Sequence, residues 1–550
     1  MERIVTGTGM KKTDSYTIEK IGIPSMVLME RAAFSMFQFL KKRIKPGERV
    51  LCLCGMGNNG ADGIALARQL VIDGTSADIM TIGSEKKATI QWKEQKNIAL
   101  NCGVTIRTFE REISGTIDDE ITYNRVWADI VNNYDYVVDA LFGIGLKRDV
   151  EGLYKRAIDG INYVKDSRSN HKMLTVISVD VPSGLCADTG QIMGTAIKAD
   201  YTLTFGAKKS GLILYEGKDM SGEIVVCDIG IPKKSYDDGA GREECFVAYD
   251  NSDIKQAVIR KSHSNKGTYG KVLVIAGSET IYGAAFFSSM AALKTGCGLV
   301  RIITHKNNRD ILYNMIPEAI INVYDENVDE DTVEEAIKWS DSVVIGPGLG
   351  TSENAKKLLC ITMNYSKQSG RALVIDADGL NIISSNEELK DLYHGNVVIT
   401  PHIGEASRLM GKSAKELAEN IVEYGKMYSK ENHITVVMKD SATVILGIES
   451  LDNKCNNRVC VNTCGNAGMA TGGSGDVLSG IIAGVIAGGI GTSHLVKEYD
   501  CDKMDCNDIF VESSLAVRIH GMAGDLAAEK NGATSLTATD ILNMIPNVLK

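Results

Sequence analysis

The segment that decides the fold of the second half of the chain is Asn462-Thr-Cys-Gly-Asn-Ala-Gly-Met-Ala-Thr-Gly-Gly-Ser-Gly-Asp476-Val-Leu-Ser-Gly480. Its glycines cluster directly before Asp476, and an apolar, helix-like run begins at Val477. Backbone N–H groups at the start of a helix attract anions, and glycines let a ligand come close to them. A carboxylate there would repel a phosphate, so we interpret Asp476 as a general base that takes a proton from an attacking hydroxyl. The alternative interpretation is a glycine-rich helix packed closely on a neighbour.

Four further turns in this half follow predicted strands and carry glycines or polar groups: Gly346–Gly350, Asp376–Asn381, Thr400–Glu405 and Lys439–Thr443. In an open parallel sheet the carboxyl ends of the strands line the ligand crevice. A lone histidine is more often structural than catalytic. Because His402 lies in one of four such turns, we nevertheless favour a functional role for it. Lys439 offers an ammonium group to a phosphate. No Walker A sequence is present, so a P-loop fold is not supported.

The chain alternates between short apolar runs and helical segments, which is typical of mostly parallel α/β sheets. An approximate helical stripe from Met10 to Arg43 precedes the first strand. The predicted strands are Arg49–Cys54, Ala77–Ile82, Tyr136–Asp139, Leu174–Val179, Tyr201–Thr204, Glu223–Cys227, Gly270–Ala276, Ser342–Ile345, Ala372–Ile375, Val397–Ile399 and Thr435–Met438. The polar, turn-rich stretch Pro232–Glu244 predicts a boundary between two domains, 1–235 and 246–550, with residues 236–245 as the linker.

In the first half, Gly55, Gly57 and Gly60 form a G-x-G-x-x-G pattern before a helix predicted over Ile64–Val71. Alone this pattern is weak evidence for dinucleotide binding. The next strand ends without the acidic partner of a classical dehydrogenase. The loop instead carries Asn58, Asn59 and Asp62, whose oxygen atoms suit an alkali or alkaline-earth cation or ribose hydroxyls.

Two more predicted strand ends of this half carry acids, Asp139 and Asp180, and Ser183 follows the second. Each acid by itself could cap a turn or a helix. Together with the asparagine-rich loop, they favour one shared site at the carboxyl edge of the sheet.

The composition excludes several classes of protein. The 550 residues are 44% apolar and 24% charged with a net charge of −10, which argues against non-specific nucleic-acid binding. Met1–Ser15 has no apolar core of a signal peptide. The apolar run Val477–Ile490, about 14 residues, is too short to cross a bilayer and predicts a buried helix. The 13 cysteines contain no C-x-x-C pair and are expected to be reduced. We expect a cytoplasmic protein with no nucleic-acid or membrane partner.

Four motifs of the first half resemble the epimerase domain of the NAD(P)H-hydrate repair enzymes over about residues 10–235: Met29–Ala32, Gly57–Gly63, Val138–Gly143 and Val179–Gly184. The resemblance implies a Rossmann-like three-layer α/β/α domain with Asp180 as the proton-transfer residue and with a K⁺ ion held by Asn59, Asp139 and Ser183. It implies hydrate binding by Asn58, Asn59, Gly60, Ala61, Asp62, Gly143, Ile144, Gly145, Leu146, Lys147, Arg148, Asp149 and Asp180. Ala61 stands where the family often has glycine.

The second half resembles the ribokinase-like superfamily and, through His402 and Gly465–Gly468, its ADP-dependent NAD(P)H-hydrate dehydratases over about residues 245–545. The resemblance implies a ribokinase-like α/β/α domain. It implies hydrate contacts from Ala284, Gly348, His402 and Asp476. It implies binding of ADP or ATP with Mg²⁺ by Lys439, Asp440, Ser441, Ala442, Thr443 and Gly475. Asp440 stands where the family more often has glycine.

The two resemblances together imply a bifunctional enzyme, expected to be a homo-oligomer, that acts on hydrated NADH and NADPH. Hydroxide is a poor leaving group, so a kinase-like domain would phosphorylate the ring hydroxyl of the S form before elimination. An epimerase in the same chain would convert the R form to the S form. The alternatives are a kinase for a vitamin-precursor alcohol fused to a dinucleotide-binding domain, and a non-catalytic nucleotide sensor.

Overall fold

The computed structural model describes residues 1–113, 120–167, 173–241, 244–257, 262–448, 458–488 and 508–550. The chain divides into two compact units, one of Arg3–Cys245 and one of Phe246–Lys550 with Met1–Glu2. Residues 236–241 and 244–245 of the predicted linker belong to the first unit, and residues 242–243 lie outside the described residues. Both units are built from alternating strands and helices, so the predicted α/β class is confirmed.

The first unit contains a parallel sheet. Its strands are β1 (Glu2–Val5), β2 (Arg49–Cys54), β3 (Ser76–Thr81), β4 (Thr105–Thr108), β5 (Tyr136–Ala140), β6 (Thr175–Val179), β7 (Tyr201–Phe205), β8 (Lys208–Lys209) and β9 (Glu223–Cys227). Its helices are α1 (Gly7–Tyr16), α2 (Ser25–Lys41), α3 (Asn58–Ile72), α4 (Ile90–Asn101), α5 (Phe109–Glu112), α6 (Glu120–Val131), α7 (Gly152–Ser167) and α8 (Gly217–Ser221). In the described residues the sheet has the order β4-β3-β2-β5-β6-β7-β9, and β8 pairs in parallel with β1.

Two apolar cores flank this sheet because successive side chains of a strand point to opposite faces. Cys52 and Val138 face a core formed with α2, α3 and α4. Leu51 and Val137 face a second core formed with α6 and α7. The first unit is therefore a three-layer α/β/α domain, as expected.

Helix α3 begins at Asn58, six residues before the predicted start at Ile64. Asn58, Asn59 and Asp62 consequently lie in its first turns and not in a preceding loop. The prediction was wrong because the glycines and polar residues of this segment read as a loop, whereas burial of Gly60 and Ala61 against the sheet favours helix.

The second unit contains a longer, mostly parallel sheet. Its strands are β10 (Cys245–Ala248), β11 (Lys271–Ile275), β12 (Leu299–His305), β13 (Ile320–Tyr324), β14 (Ser342–Ile345), β15 (Ala372–Ile375), β16 (Val397–Ile399), β17 (Thr435–Met438), β18 (Val444–Leu446) and β19 (Val459–Val461). Its helices are α9 (Asn251–Ala257), α10 (Gly283–Thr295), α11 (Arg309–Met315), α12 (Glu330–Trp339), α13 (Glu353–Ser369), α14 (Asp378–Ser385), α15 (Ile403–Met410), α16 (Ala414–Glu419), α17 (Ile421–Asn432), α18 (Ser474–Gly488), α19 (Ile509–Asn531) and α20 (Ala538–Val548).

The strand order in this unit is β13-β12-β11-β14-β15-β16-β17-β18-β19-β10, with β18 antiparallel to both of its neighbours. One face of the sheet packs against α10, α18, α19 and α20, and α12 and α13 cover the other face. Helix α18 begins at Ser474 and not at Val477, so Asp476 lies in its first turn. Its predicted burial is confirmed as far as Val485, and residues 489–490 of the apolar run lie outside the described residues.

Across the described part of the chain, no helix combines the length and the apolar character that crossing a bilayer requires.

Candidate active sites

The glycine turn after β2 brings helix α3 close to the neighbouring strand. A Cβ atom on Gly55 would lie 2.1 Å from the carbonyl oxygen of Leu141, and one on Gly60 would lie 1.9 Å from the carbonyl oxygen of Gly55. Both positions therefore require glycine. The close approach places the first turn of α3 beside the loop that follows β5.

The three residues predicted to bind K⁺ lie together at this edge of the sheet. Ser183 Oγ donates a hydrogen bond of 2.5 Å to Asp139, and the amide of Ser183 donates another of 2.8 Å. Asn59 Nδ2 donates to the carbonyl oxygen of Phe142, and the amide of Phe142 donates to Ser183 Oγ. Amide, hydroxyl, carboxylate and carbonyl oxygens are ligands that a hard cation prefers, so these residues fit K⁺. In the described residues no cluster of three His, Cys, Asp or Glu side chains suits a metal.

The carboxyl group of Asp139 is fully buried at the end of β5. Burial raises its pKa, and hydrogen bonds from Ser183, Ser178 and the amide of Leu141 act in the opposite direction. Four donors on one carboxylate fix its orientation, and they hold the loops after β5 and β6 together.

Asp180 follows the last residue of β6 and has a φ of +66°. The left-handed region costs a residue with a side chain roughly 1–2 kcal/mol, although aspartate tolerates it better than most. A hydrogen bond of 2.8 Å from its amide to the carbonyl oxygen of Leu203 holds this backbone. The carboxylate of Asp180 forms an ion pair with the buried Lys209, whose Nζ lies 2.5 Å from Oδ1.

The remaining residues predicted to bind the hydrate lie around this edge with different exposure. Asp62 is close enough to Asp180 for their charges to interact; burial, and then Asp180, raises the pKa of Asp62 well above its usual value. Gly60 and Ala61 are buried, so they shape the site without presenting side chains. The exposed residues are Asn58, Gly145, Lys147, Arg148 and Asp149, and the half-buried ones are Gly143, Ile144 and Leu146.

In the second unit, a buried carboxylate organises the crevice at the ends of β15 and β17. Asp376 is 1% exposed, and its Oδ1 accepts a hydrogen bond of 2.8 Å from Lys439 Nζ. Its Oδ2 accepts one of 2.5 Å from Ser479 Oγ on α18. A Cβ atom on Gly475 would lie 3.4 Å from Lys439 Nζ, so the backbone of Gly475 lies beside the ammonium group. Burial alone would lower the pKa of Lys439, but the charges of Asp376 and Glu405 raise it.

Asp476, which the sequence indicated as the general base, lies in the same crevice. Burial, and then the negative charge of Asp376, raises the pKa of Asp476 to about 7, while Lys439 acts in the opposite direction. The backbone carbonyl of Asp476 accepts a hydrogen bond of 2.9 Å from Ser288 Oγ on α10, which fixes the start of α18. A carboxyl group poised near neutrality beside an ammonium group suits general-base catalysis at a phosphoryl group.

His402 caps helix α15. Its Nδ1 accepts hydrogen bonds from the amides of Gly404 and Glu405, and the Glu405 side chain accepts one from the amide of His402. A cap is a structural role, yet the side chain is 56% exposed, so the ring is also open to a ligand. An isolated bridge pairs His402 with Lys439 and places the two predicted residues side by side.

The other predicted residues of the second unit fall into two places. Ala284 and Gly348 are in contact, since a Cβ atom on Gly348 would lie 2.9 Å from that of Ala284. The turn after β17 carries the predicted nucleotide contacts, and in it Asp440 and Ser441 are exposed, Ala442 is buried and Thr443 is half-buried.

The sequence assigned no role to Asp376, Ser479 or Lys209. Asp376 was identified only as an acid at a strand end. Ser479 lies one helical turn after Gly475, and this spacing could have indicated that it faces the same crevice. Lys209 gives no such signal, because a lysine is expected to be exposed.

Two family models match the chain. One, described as YjeF-related protein N-terminus, matches residues 25–211, and one, described as NAD(P)H-hydrate dehydratase, matches residues 272–547. The bifunctional NAD(P)H-hydrate repair enzyme of Thermofilum pendens is 32% identical over 98% of this chain and 95% of its own length. The bifunctional NAD(P)H-hydrate repair enzyme of Escherichia coli K12 is 30% identical over 98% of this chain and 92% of its own length.

Among solved structures, a ribokinase-like superfamily protein from Enterococcus faecalis is similar to this chain with 29% identity and a TM-score of 0.44. The match covers 55% of this chain and 95% of that protein.

Proposed function

The chain belongs to the family of bifunctional NAD(P)H-hydrate repair enzymes, and we propose that its two units carry out two successive repair reactions. The first unit interconverts the R and S forms of hydrated NADH or NADPH. The second unit removes water from the S form and returns the reduced cofactor. The two family models, one for each unit, support this division of activities.

In the first unit, Asp180 is proposed as the proton-transfer residue. Epimerisation inverts the ring carbon that bears the hydroxyl group. Loss of the hydroxyl proton to a base breaks the bond between that carbon and the ring nitrogen, the nitrogen re-forms the bond on the other face of the resulting aldehyde, and the base returns the proton to the oxygen. Asn59, Asp139 and Ser183 would hold a K⁺ ion, which supplies positive charge for the phosphates or hydroxyls of the substrate when it is bound. The hydrogen bonds that join these residues support one shared site.

In the second unit, Asp476 takes the proton from the ring hydroxyl as its oxygen attacks the terminal phosphoryl group of the nucleotide. The ring nitrogen's lone pair then expels phosphate, and loss of a proton from the neighbouring ring carbon restores the reduced nicotinamide. The amide of Gly475 and the ammonium group of Lys439 would stabilise the transferring phosphoryl group. The nucleotide is ADP or ATP, and Mg²⁺ would neutralise its phosphate charge.

The observation that carries this proposal is the position of Asp476. Its carboxyl group, with a pKa of about 7, lies in the first turn of α18 and interacts with Lys439 and Asp376. This arrangement supplies a base, an ammonium group and backbone amides within one crevice, which are the parts that phosphorylation of a hydroxyl requires.

Separate assays of the two epimers test the proposal. With ADP or ATP and Mg²⁺, purified S hydrate should be dehydrated at once, whereas purified R hydrate should react only after a lag set by epimerisation. Without nucleotide, each pure epimer should relax to the same mixture with no reduced cofactor formed. Phosphorylation of a small alcohol, with both hydrates unchanged, would support the kinase alternative.

The expected homo-oligomer stays a prediction, and light scattering of the purified protein would measure its oligomeric state.

A further inference from the structure

Lys209 carries an ammonium group that is buried inside the first unit. Its side chain is 1% exposed. Its Nζ donates to Asp180 Oδ1 at 2.5 Å, to the carbonyl oxygen of Phe205 at 2.8 Å and to Thr204 Oγ1 at 3.0 Å. Three acceptors match the three N–H bonds of an ammonium group, so this lysine is charged and fully hydrogen-bonded.

The partner carboxylate is anchored through a single oxygen. Oδ1 of Asp180 accepts hydrogen bonds from Lys209, from Thr204 Oγ1 and from the amide of Phe205. Among the described residues, no donor reaches its Oδ2. The side chain is 11% exposed, so the carboxyl group is not completely enclosed by the protein. One oxygen is fixed by the protein and the other is left for a substrate proton.

The groups that surround this pair are mostly acidic. Asp14 on α1, Asp62 on α3 and Cys227 on β9 interact electrostatically with Asp180, and Lys209 is the basic group that acts on Asp14 and Cys227. Burial raises the pKa of Asp14 to about 7, the charge of Lys209 acts in the opposite direction, and the charge of Asp180 adds a smaller upward contribution. In such surroundings an ionised Asp180 depends on its ammonium partner, because burial and like charges both disfavour a carboxylate.

We propose that Lys209 is a positioning residue for epimerisation, which holds Asp180 as a carboxylate with Oδ1 fixed and Oδ2 directed at the hydrate. This inference rests on the proposed role of Asp180. Lys209 itself does not exchange a proton with the substrate, because its three N–H bonds are all donated to protein oxygens. The competing explanation is that Lys209 only stabilises the fold by neutralising a buried charge.

The test replaces Lys209 with methionine in the full chain. Lys208→Met is the matched control, because successive residues of a strand point to opposite sides. For Lys209→Met we expect kcat of epimerisation to fall roughly 100-fold, on the scale of proton-transfer catalysis, with KM changed less than about threefold. The pH profile of epimerisation should also change, because the carboxylate loses its counter-charge. The control should keep the wild-type kcat and pH profile.

A double variant distinguishes a positioning role of Lys209 from a role in folding. If Lys209 acts through Asp180, adding Lys209→Met to Asp180→Asn should lower the residual epimerisation rate no further. Circular dichroism at the assay temperature establishes that each variant is folded, and Lys209→Gln, which keeps a donor to Oδ1, replaces Lys209→Met if that variant unfolds. A folded Lys209 variant with an unshifted pH profile and wild-type kcat would overturn the inference. A wild-type protein that does not epimerise would contradict the proposed function instead.

Discussion

The ammonium group of Lys439 lies 2.8 Å from Oδ1 of Asp376, a carboxylate that is 1% exposed at the end of β15. The two residues are 63 positions apart in the chain, and Ser479 on α18 bonds to the other oxygen of the same carboxylate. Asp376 thus fixes the lysine proposed to hold the transferring phosphoryl group relative to the helix that carries Asp476. This relationship indicates that Asp376 governs the position of Lys439 relative to Asp476.

Asp376→Asn should slow dehydration while leaving epimerisation intact. The variant loses a hydrogen bond between charged groups, worth about 1.5–3 kcal/mol, which corresponds to roughly 10–100-fold in rate. Steady-state kinetics with varied nucleotide measure the effect, and Asp341→Asn, at the start of β14, serves as the control outside the site. An Asp376→Asn enzyme with wild-type dehydration kinetics would show that Lys439 needs no such partner.

Asp476→Asn should abolish dehydration and preserve epimerisation. Asparagine keeps the size and hydrogen-bonding shape of the side chain but accepts no proton from the ring hydroxyl. Loss of a general base lowers a rate typically by about 10²–10⁴-fold. Formation of reduced cofactor from the S epimer measures dehydration, and relaxation of the R epimer without nucleotide provides the internal control. Retained dehydration would displace Asp476 from the mechanism.

Dehydration should depend on pH through the carboxyl group of Asp476, whose pKa is raised to about 7 by burial and Asp376. A base works in its deprotonated form, so activity is present above that pKa and is lost as the pH falls through it. Between pH 8 and pH 5 the rate should therefore fall roughly 100-fold. The neighbouring His520 does not titrate in this range, because burial and Lys439 lower its pKa to about 4. A dehydration rate that stays constant from pH 8 to pH 5 would contradict this role of Asp476.

Asp180→Asn should impair epimerisation and preserve dehydration, the reverse of Asp476→Asn. Asparagine tolerates the left-handed backbone that Asp180 adopts, so the variant should fold. Epimerisation should fall by about 10²–10⁴-fold, with dehydration of pure S hydrate unchanged. Mixed hydrate would then be repaired only to the fraction present as the S form. If the folded variant lost both activities, the two sites would not be separate.

Ser183→Ala should weaken the binding of the K⁺ ion that supports epimerisation. Ser178→Ala is its matched control. Both hydroxyls donate to the buried carboxylate of Asp139, but Ser183 alone is a proposed ligand of the ion. We expect the K⁺ concentration for half-maximal epimerisation to rise roughly tenfold for Ser183→Ala, the equivalent of about 1.4 kcal/mol of binding. The control should stay near the wild-type value. Equal effects of both changes would mean that the serines act only through Asp139.

The eleven strands that were predicted lie within one residue of the structure at each end. Six of them, among them Arg49–Cys54 and Ser342–Ile345, match the structure at both ends. Val444–Leu446 and Val459–Val461 are buried along their whole length and were not predicted. Strands such as Thr105–Thr108 and Ile320–Tyr324 were missed, because edge strands carry exposed or half-buried residues that weaken the apolar signal.

The helix starts at Asn58 and Ser474 were predicted too late, since glycines lower helix propensity while their close packing on the sheet favours helix here. The clustering of Asn59, Asp139 and Ser183 followed from their positions at strand ends. The ion pair of Lys209 with Asp180 and that of Lys439 with Asp376 could not be predicted, because they join residues that only the folded chain brings together.

The most direct measurement of the central claim is recovery of reduced-nicotinamide absorbance from a mixture of R and S hydrate. The assay contains the full chain, K⁺, Mg²⁺ and either ADP or ATP. We predict complete recovery with one of the two nucleotides, because epimerisation supplies the S form as dehydration consumes it. Recovery that stops at the initial S fraction would contradict an active first unit, and no recovery with either nucleotide would contradict the proposed repair function as a whole.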